Sequence, residues 1–206
     1  MTMFSPPEEA RIEASIAEVE KGTAAEIVVV TRKRSDDYLD VRLFAVGMSG
    51  LLAATVAHFV WLELSVAYVL SLQLMVGTVV WLGSGLRPVL RWLVPAGRRQ
   101  NAVERACELE FLAHAVFETR DRTGVVILLS ELEHGVAILG DKGIHARVEM
   151  KGWDALIQQL IQTIRQGRAC DGVCEVVARL GESLMRDAPI LPEDTNELSN
   201  RVRQGR

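Results

Sequence analysis

Five carboxylates stand next to the ends of predicted strands, and a hard cation is what such a set could bind. They are Asp36, Asp37, Glu131, Glu133 and Asp141. Calcium and magnesium take carboxylate oxygens as ligands, and open α/β sheets place their ligands beyond strand ends. Asp36, Asp37 and Asp141 are therefore the candidate cation site. The favoured alternative is a structural role, because an Asp after a strand ordinarily forms a turn or caps a helix.

Short apolar runs are the strands that must position these carboxylates. Residues 26–31 form a β-branched run that is too short for anything but a buried strand. Two further runs, 124–130 and 135–140, have so short a gap between them that a hairpin is permitted and a crossover helix is excluded. These two strands are predicted to be antiparallel. Asp141 then ends an antiparallel-paired strand, so it could lie at the edge opposite to Asp36 and Asp37.

Apolar residues at helical spacing predict four helices around the strands. They cover residues 7–21, 98–118, 153–165 and 171–186. Ser5 before two prolines marks the start of the first helix, and Gly22 marks its end. The expected fold class is α/β, with a small mixed sheet sandwiched by helices.

Residues 43–86 form an apolar stretch that carries one formal charge, Glu63, near its middle. A helix that spans a bilayer needs roughly 20 apolar residues, and this stretch is about twice that length. We therefore predict a transmembrane hairpin with spans at 43–62 and 66–86. A single buried core helix would be far shorter.

The cations flanking the apolar stretch predict its orientation, because short loops rich in Lys and Arg stay in the cytoplasm. Those before the first span and after the second are Arg32, Lys33, Arg34, Arg42, Arg87, Arg91, Arg98 and Arg99. The turn between the spans has no cation. We expect a multi-pass protein of the inner membrane with both termini in the cytoplasm.

Small residues recur every four positions along the first span, at Ala45, Ser49, Ala53 and Ala57. Such a stripe lets another helix approach closely. The favoured interpretation is packing against the chain's own second span, where Gly77 would supply the facing groove; the alternative is contact with another chain. His58 and Gln73 are the polar side chains that could hydrogen-bond a partner within the membrane.

Composition excludes some function classes. The net charge of −4 over 206 residues argues against a nucleic-acid binder. Cys107, Cys170 and Cys174 are an odd number of cysteines, which suits a reducing compartment. The predicted organisation is one α/β domain split by the hairpin: residues 1–41, the membrane hairpin 42–87, the second part of the domain at 88–190, and a polar, disordered tail at 191–206.

One region resembles a known family. Residues 122–130, followed by Glu133, Val136, Ile138 and residues 141–144, resemble the core of the TPM domain, and residues 12–31 and Trp153 also fit its pattern. The chain is most similar to a short bacterial branch in which a transmembrane segment interrupts the domain. This resemblance implies a compact α/β/α sandwich.

The resemblance implies three kinds of activity, since some relatives are described as acid phosphatases, some as calcium binders and others as assembly factors of membrane complexes. The chain has no Gly-rich phosphate loop, Cys-x5-Arg arrangement or Asp-x-Asp pair, so we assign no catalytic or cofactor-binding residue. We expect a scaffold or auxiliary subunit, with a divalent-metal-dependent phosphatase as the alternative. By resemblance, the candidate protein partners are a LemA-type protein and another TPM-domain protein. The apolar stretch predicts the lipid bilayer as a partner, and the small-residue stripe permits a second copy of the chain.

Overall fold

A computed structural model of the protein describes residues 3–60, 65–147, 152–190 and 198–205. The chain divides into an α/β unit, Met1–Asp36 with Arg99–Arg206, and a hairpin unit, Asp37–Arg98. The helices are α1 Pro6–Glu20, α2 Leu39–Val60, α3 Val66–Ser84, α4 Arg87–Leu93, α5 Ala96–Ala113, α6 Lys142–Arg147, α7 Trp153–Arg165 and α8 Ala169–Asp187. The strands are β1 Glu26–Arg32, β2 Gly124–Ser130, β3 Gly135–Gly140 and β4 Arg203–Gln204.

The four strands form a mixed sheet in the order β3-β2-β1-β4. β1 and β2 run parallel, with Glu26 opposite Gly124 and Arg32 opposite Ser130. β2 and β3 are antiparallel, as their short connection predicted, with Ser130 opposite Gly135. The predicted mixed sheet is therefore confirmed.

Both faces of the sheet are covered by helices. Alternate residues of β1 enter different cores, since successive strand side chains point to opposite faces. Ile27 and Val29 belong to a core that includes residues of α1, α7 and α8, whereas Val28 and Val30 pack with residues of α5. Burying each such side chain contributes roughly 1.5–3 kcal/mol. The layers are those of an α/β/α sandwich.

Two local signals define α1 and its packing. Ser5 and Glu8 form a capping box at its start, with prolines in the first turn. Along its buried face, Val19 lies so close to α8 that a Cβ on Gly181 would be 2.6 Å from the valine Cγ1. Close approach therefore requires glycine at position 181.

Three parts of the fold differ from the sequence-based prediction. The predicted helix 98–118 is interrupted: α5 ends at Ala113, Ala115 adopts a left-handed conformation (φ 52°), and a 3-10 turn follows at Val116–Glu118. Two short helices, α4 and α6, were not predicted. Within the tail, which we expected to be disordered, β4 pairs in parallel with β1; residues 191–197 lie outside the described residues.

The hairpin unit presents apolar side chains outward. α2 and α3 are long and apolar enough to span a membrane by length and composition. In each helix, only 6% of the 18-residue apolar stretch is buried. Phe44, Phe59 and Leu74 are each at least 70% exposed. α2 begins four residues before the predicted span, with Asp40 in its first turn, where a negative charge is favourable. Residues 61–64, which include Glu63 of the predicted turn, lie outside the described residues.

Candidate functional site

The sheet topology separates the three predicted cation ligands. Asp36 and Asp37 follow the carboxyl end of β1, whereas the Asp141 backbone N–H donates a 2.9 Å hydrogen bond to the carbonyl of Gly124, the first residue of β2. Because β1 and β2 are parallel, Asp141 lies beside the amino ends of these two strands, whereas the two other aspartates follow the carboxyl end of β1. The predicted three-aspartate site is therefore wrong.

Asp141 has a structural role instead. Its Oδ1 accepts a 2.6 Å hydrogen bond from the Lys142 backbone N–H at the start of α6, and its Oδ2 lies 2.8 Å from Arg122 Nε. The Asp141 side chain is 4% exposed, and the Arg122 guanidinium lies 5.7 Å from the centre of the Phe117 ring. The alternative interpretation of Asp141, as a turn and helix-capping residue, fits these contacts.

At the carboxyl ends of β1 and β2, Glu133 connects the segment after β1 to the β2–β3 turn. One oxygen accepts a 3.0 Å hydrogen bond from the Ser35 backbone N–H, and the other accepts a 2.5 Å hydrogen bond from Ser130 Oγ. Ser35 Oγ in turn donates to Ser130 Oγ at 2.9 Å. Within the described residues, no three His, Cys, Asp or Glu side chains converge to hold a metal ion. This network is suited to fixing the turn.

The small-residue stripe of α2 faces α3. Ala57 is buried, and Ala45, Ser49 and Ala53 are half-buried. A Cβ on Gly77 would lie 3.3 Å from Val46 Cγ1, so the backbone of α3 approaches α2 closely at that point. These contacts favour the intramolecular interpretation of the stripe and the facing role predicted for Gly77.

An open groove of about 320 Å³ remains on the surface of the hairpin. It is lined by Val46, Gln73, Leu74, Gly77, Thr78 and Trp81. Thr78 Oγ1 donates a 2.7 Å hydrogen bond to the Leu74 carbonyl, whereas the Gln73 amide has no hydrogen-bond partner among the described residues. His58 is exposed and contacts the Phe59 ring edge-on. Gln73 is thus the polar group that the groove offers to a neighbouring helix.

Arg42 joins α2 to the end of α3, a contact that sequence reasoning missed. Its Nε donates to Ser84 Oγ at 3.1 Å, and its Nη2 donates to the Trp81 carbonyl at 3.2 Å. The guanidinium also lies 4.1 Å from the centre of the Trp81 ring. Arg98 and Asp40 form an ion pair in the same unit at 2.6 Å. The hairpin is therefore closed at its base by hydrogen bonds and a cation–π contact.

Three carboxylates in the α/β unit are more buried than the sequence suggested. Glu26 and Glu110 are buried, and burial raises the pKa of Glu20 to about 7, although hydrogen bonds from Ile27 and Asn200 act against this shift. Spacing gave a signal for two of them. Glu20 follows the buried Ile16 by one turn, and Glu110 continues the apolar face of α5 after Cys107.

The cysteines are unpaired thiols in the α/β unit. Burial raises the pKa of Cys107 to about 12 and that of Cys170 to about 11. Thiolates are the reactive and metal-binding form of cysteine, and these environments disfavour that form.

Comparison with known proteins identifies the fold alone. No family model and no curated protein matches the chain. The structure is similar to the NMR structure of the BA42 protein from the psychrophilic bacterium Bizionia argentinensis, with 19% identity and a TM-score of 0.62 over 99% of this chain and 97% of that chain. This similarity agrees with the mixed α/β architecture, and the TPM resemblance stays a prediction.

Proposed function

We propose that this chain is an integral membrane protein that holds its α/β unit at the cytoplasmic face of the inner membrane and assembles there with a membrane-protein partner. The observation that carries this proposal is the exposed apolar surface of α2 and α3. In each helix, only 6% of the 18-residue apolar stretch is buried within the protein. A contiguous apolar surface of this kind is unfavourable in water and favourable in lipid.

The polar groups of the hairpin support a lipid environment. The core of a bilayer offers no water, so polar groups there are satisfied within the protein or by a neighbouring protein helix. Hydroxyl groups in the two helices donate to carbonyls within the same helix: Ser49 to Val46, Thr55 to Leu51, Ser71 to Ala67 and Thr78 to Leu74, at 2.7–2.9 Å. These hydroxyls need no water to satisfy them.

The cations near the ends of the hairpin support a cytoplasmic position for the α/β unit. Arg42, Arg87, Arg91 and Arg98 all belong to the hairpin unit, close to the points where the chain enters and leaves it. Trp92 is 84% exposed and suits an interface between lipid and water. The positive-inside rule then favours the cytoplasm for both termini.

The groove beside Gln73 is the proposed contact with the partner. Gly77 and Thr78 keep the groove open, and the Gln73 amide offers a hydrogen bond to another transmembrane helix. By the TPM resemblance, the partner is a LemA-type protein or another TPM-domain protein; the groove would also accept a second copy of the chain. The α/β unit acts as a scaffold without catalysis.

Purification of the full-length chain from native membranes in a mild detergent tests this assembly. The mass of the intact complex and the identity of its components are measured for the parent and for two variants. Thr78→Trp fills the groove and is expected to remove the partner. Val79→Trp adds the same bulk at an exposed position that does not line the groove, so the partner is retained. A lone monomer for the parent chain would contradict the proposal.

A further inference from the structure

On the side away from β2, β1 pairs with the short strand β4. β4 pairs with β1 over two positions, Val30 with Arg203 and Thr31 with Gln204. The Gly205 backbone N–H donates a 2.9 Å hydrogen bond to the Thr31 carbonyl, and Thr31 Oγ1 donates to the Arg203 carbonyl at 3.4 Å. We name residues 198–205 the tail segment. It closes the edge of the sheet with a very short ladder.

Acidic side chains line this edge beyond the ladder. Glu26 Oε2 accepts a hydrogen bond from the Leu198 backbone N–H at 3.4 Å, and Glu20 Oε2 accepts one from Asn200 Nδ2. Farther along, Glu110 is buried and lies 3.5 Å from Arg32. The tail segment therefore supplies hydrogen-bond donors to Glu26 and Glu20, one from its backbone and one from the Asn200 side chain.

The edge also selects side chains along the tail segment. Val202 packs against the core beneath the sheet, whereas Arg201 and Gln204 are exposed. Arg203 Nη1 donates to the His114 carbonyl at 3.4 Å. At Gly205, a Cβ would lie 2.3 Å from Glu110 Oε1 and 2.6 Å from Arg32 Cγ, so a side chain there would force Glu110 and Arg32 to move. The pattern accepted is Asn, any, apolar, Arg, any, Gly.

We propose that the β1 edge is a strand-acceptor site for an extended basic peptide of this pattern from a partner protein, and that the tail segment is a removable occupant of the site. Addition of a strand to an exposed sheet edge gives affinity through main-chain hydrogen bonds and specificity through alternate side chains. The short ladder makes the tail segment the part of the sheet that is displaced most readily. The covalent link gives the tail a high effective concentration, so an external peptide binds well only when the tail is released.

Binding of a fluorescent synthetic peptide with the sequence of residues 198–205 tests the proposal on the full-length chain in detergent. Gly205→Val releases the tail by its clash with Glu110, and we expect the peptide to bind this variant roughly tenfold or more tightly than it binds the parent chain. Gln204→Val changes an exposed residue of the tail and should leave the affinity at the parent value. The same peptide with valine in place of its glycine should not bind.

A second tail variant keeps the test decisive if Gly205→Val impairs folding. Val202→Ser removes the tail's core contact and is expected to raise peptide affinity in the same way. Equal affinity for the parent and both tail variants, or no binding to any of them, would overturn the proposal. Exchange of tails between two copies, seen as a concentration-dependent dimer that persists in Thr78→Trp and is lost in Gly205→Val, would also overturn it, because the occupant would then be a second copy. The peptide assay does not depend on assembly along the hairpin, so the two proposals can fail separately.

Discussion

The Glu20 carboxylate accepts a 2.9 Å hydrogen bond from the backbone N–H of Ile27, the second residue of β1. This contact satisfies the first donor on the free side of the strand, next to the tail segment. The same position buries Glu20 near Glu26, and burial raises the pKa of Glu20 to about 7. A proton on Glu20 therefore stabilises the α/β unit.

The stability of the α/β unit is predicted to fall as the pH rises from 4.5 to about 7. Between the ordinary carboxyl pKa of 4.5 and the folded value of about 7, the folded state holds a proton that the unfolded state has lost, so the free energy of unfolding decreases with pH. Glu20→Gln keeps an acceptor for Ile27 and removes the charge. We expect this variant to lose less thermal stability than the parent between about pH 5 and about pH 8.

Glu18→Gln is the matched control for this pH measurement. Glu18 belongs to the same helix, but its side chain is 75% exposed. Circular dichroism melts should show the parent pH dependence in this variant. Equal pH dependence in Glu20→Gln would contradict a role for the buried Glu20 proton.

The role of Asp141 can be tested without any assumption about metals. Asp141→Ala removes a helix cap and leaves Arg122 without its ion-pair partner, so we expect a loss of roughly 1–3 kcal/mol in stability. The loss should be the same with added calcium and with excess EDTA. Lys142→Ala, at the exposed neighbouring position, is the control. A loss seen only in the presence of calcium would restore Asp141 as a cation ligand.

Close packing of α1 on α8 makes Gly181 intolerant of a side chain. Ala is the better helix former, yet its Cβ at position 181 would collide with Val19, and overpacking of this kind costs about 1–3 kcal/mol. Gly181→Ala should therefore lower the unfolding midpoint in a denaturant titration. Gly97→Ala places a Cβ where no atom lies within 4 Å, and no loss is expected there. A stabilised Gly181→Ala variant would show that the two helices separate at little cost.

Arg42 closes the base of the hairpin by geometry as well as by charge. Arg42→Lys keeps the cation but loses the pair of hydrogen bonds to Ser84 and to the Trp81 carbonyl. We expect unchanged membrane orientation and a loss of about 1–2 kcal/mol in the resistance of the purified protein to denaturing detergent. Inverted orientation of this variant would mean that the guanidinium itself, rather than its charge, sets the topology.

Local sequence patterns predicted the sheet and most of its helices. The β-branched run of β1 and the short gap between β2 and β3 carry their own information, because strand length and connection length are local properties. The end of α5 was not predicted. The helix ends before Ala115, which adopts a left-handed conformation that is uncommon for alanine and has no signal in the sequence.

Non-local contacts could not be predicted in the same way. β4 has two residues and pairs with a strand more than 170 positions away, so no window of sequence reveals it. The predicted cation site was wrong for a related reason. Asp141 has a suitable carboxylate, but β3 runs antiparallel to β2 and ends beside the amino end of β2, far from Asp36 and Asp37. The burial of Glu26 had no such local signal, because the Leu198 backbone N–H, from which its side chain accepts a hydrogen bond, lies 172 positions away.

The membrane topology of the full-length chain in intact cells tests the proposed membrane hairpin. In a chain whose Cys107, Cys170 and Cys174 are replaced by alanine, single cysteines are introduced at Ala14 in α1 and at Ser65 before α3, both exposed positions. They are labelled with a membrane-impermeant maleimide in intact and lysed spheroplasts. If both termini are cytoplasmic, Ser65→Cys is labelled in intact spheroplasts and Ala14→Cys is labelled only after lysis. Labelling of both sites in intact spheroplasts, protection of Ser65→Cys until lysis, or recovery of the chain in the soluble fraction would contradict the proposed topology.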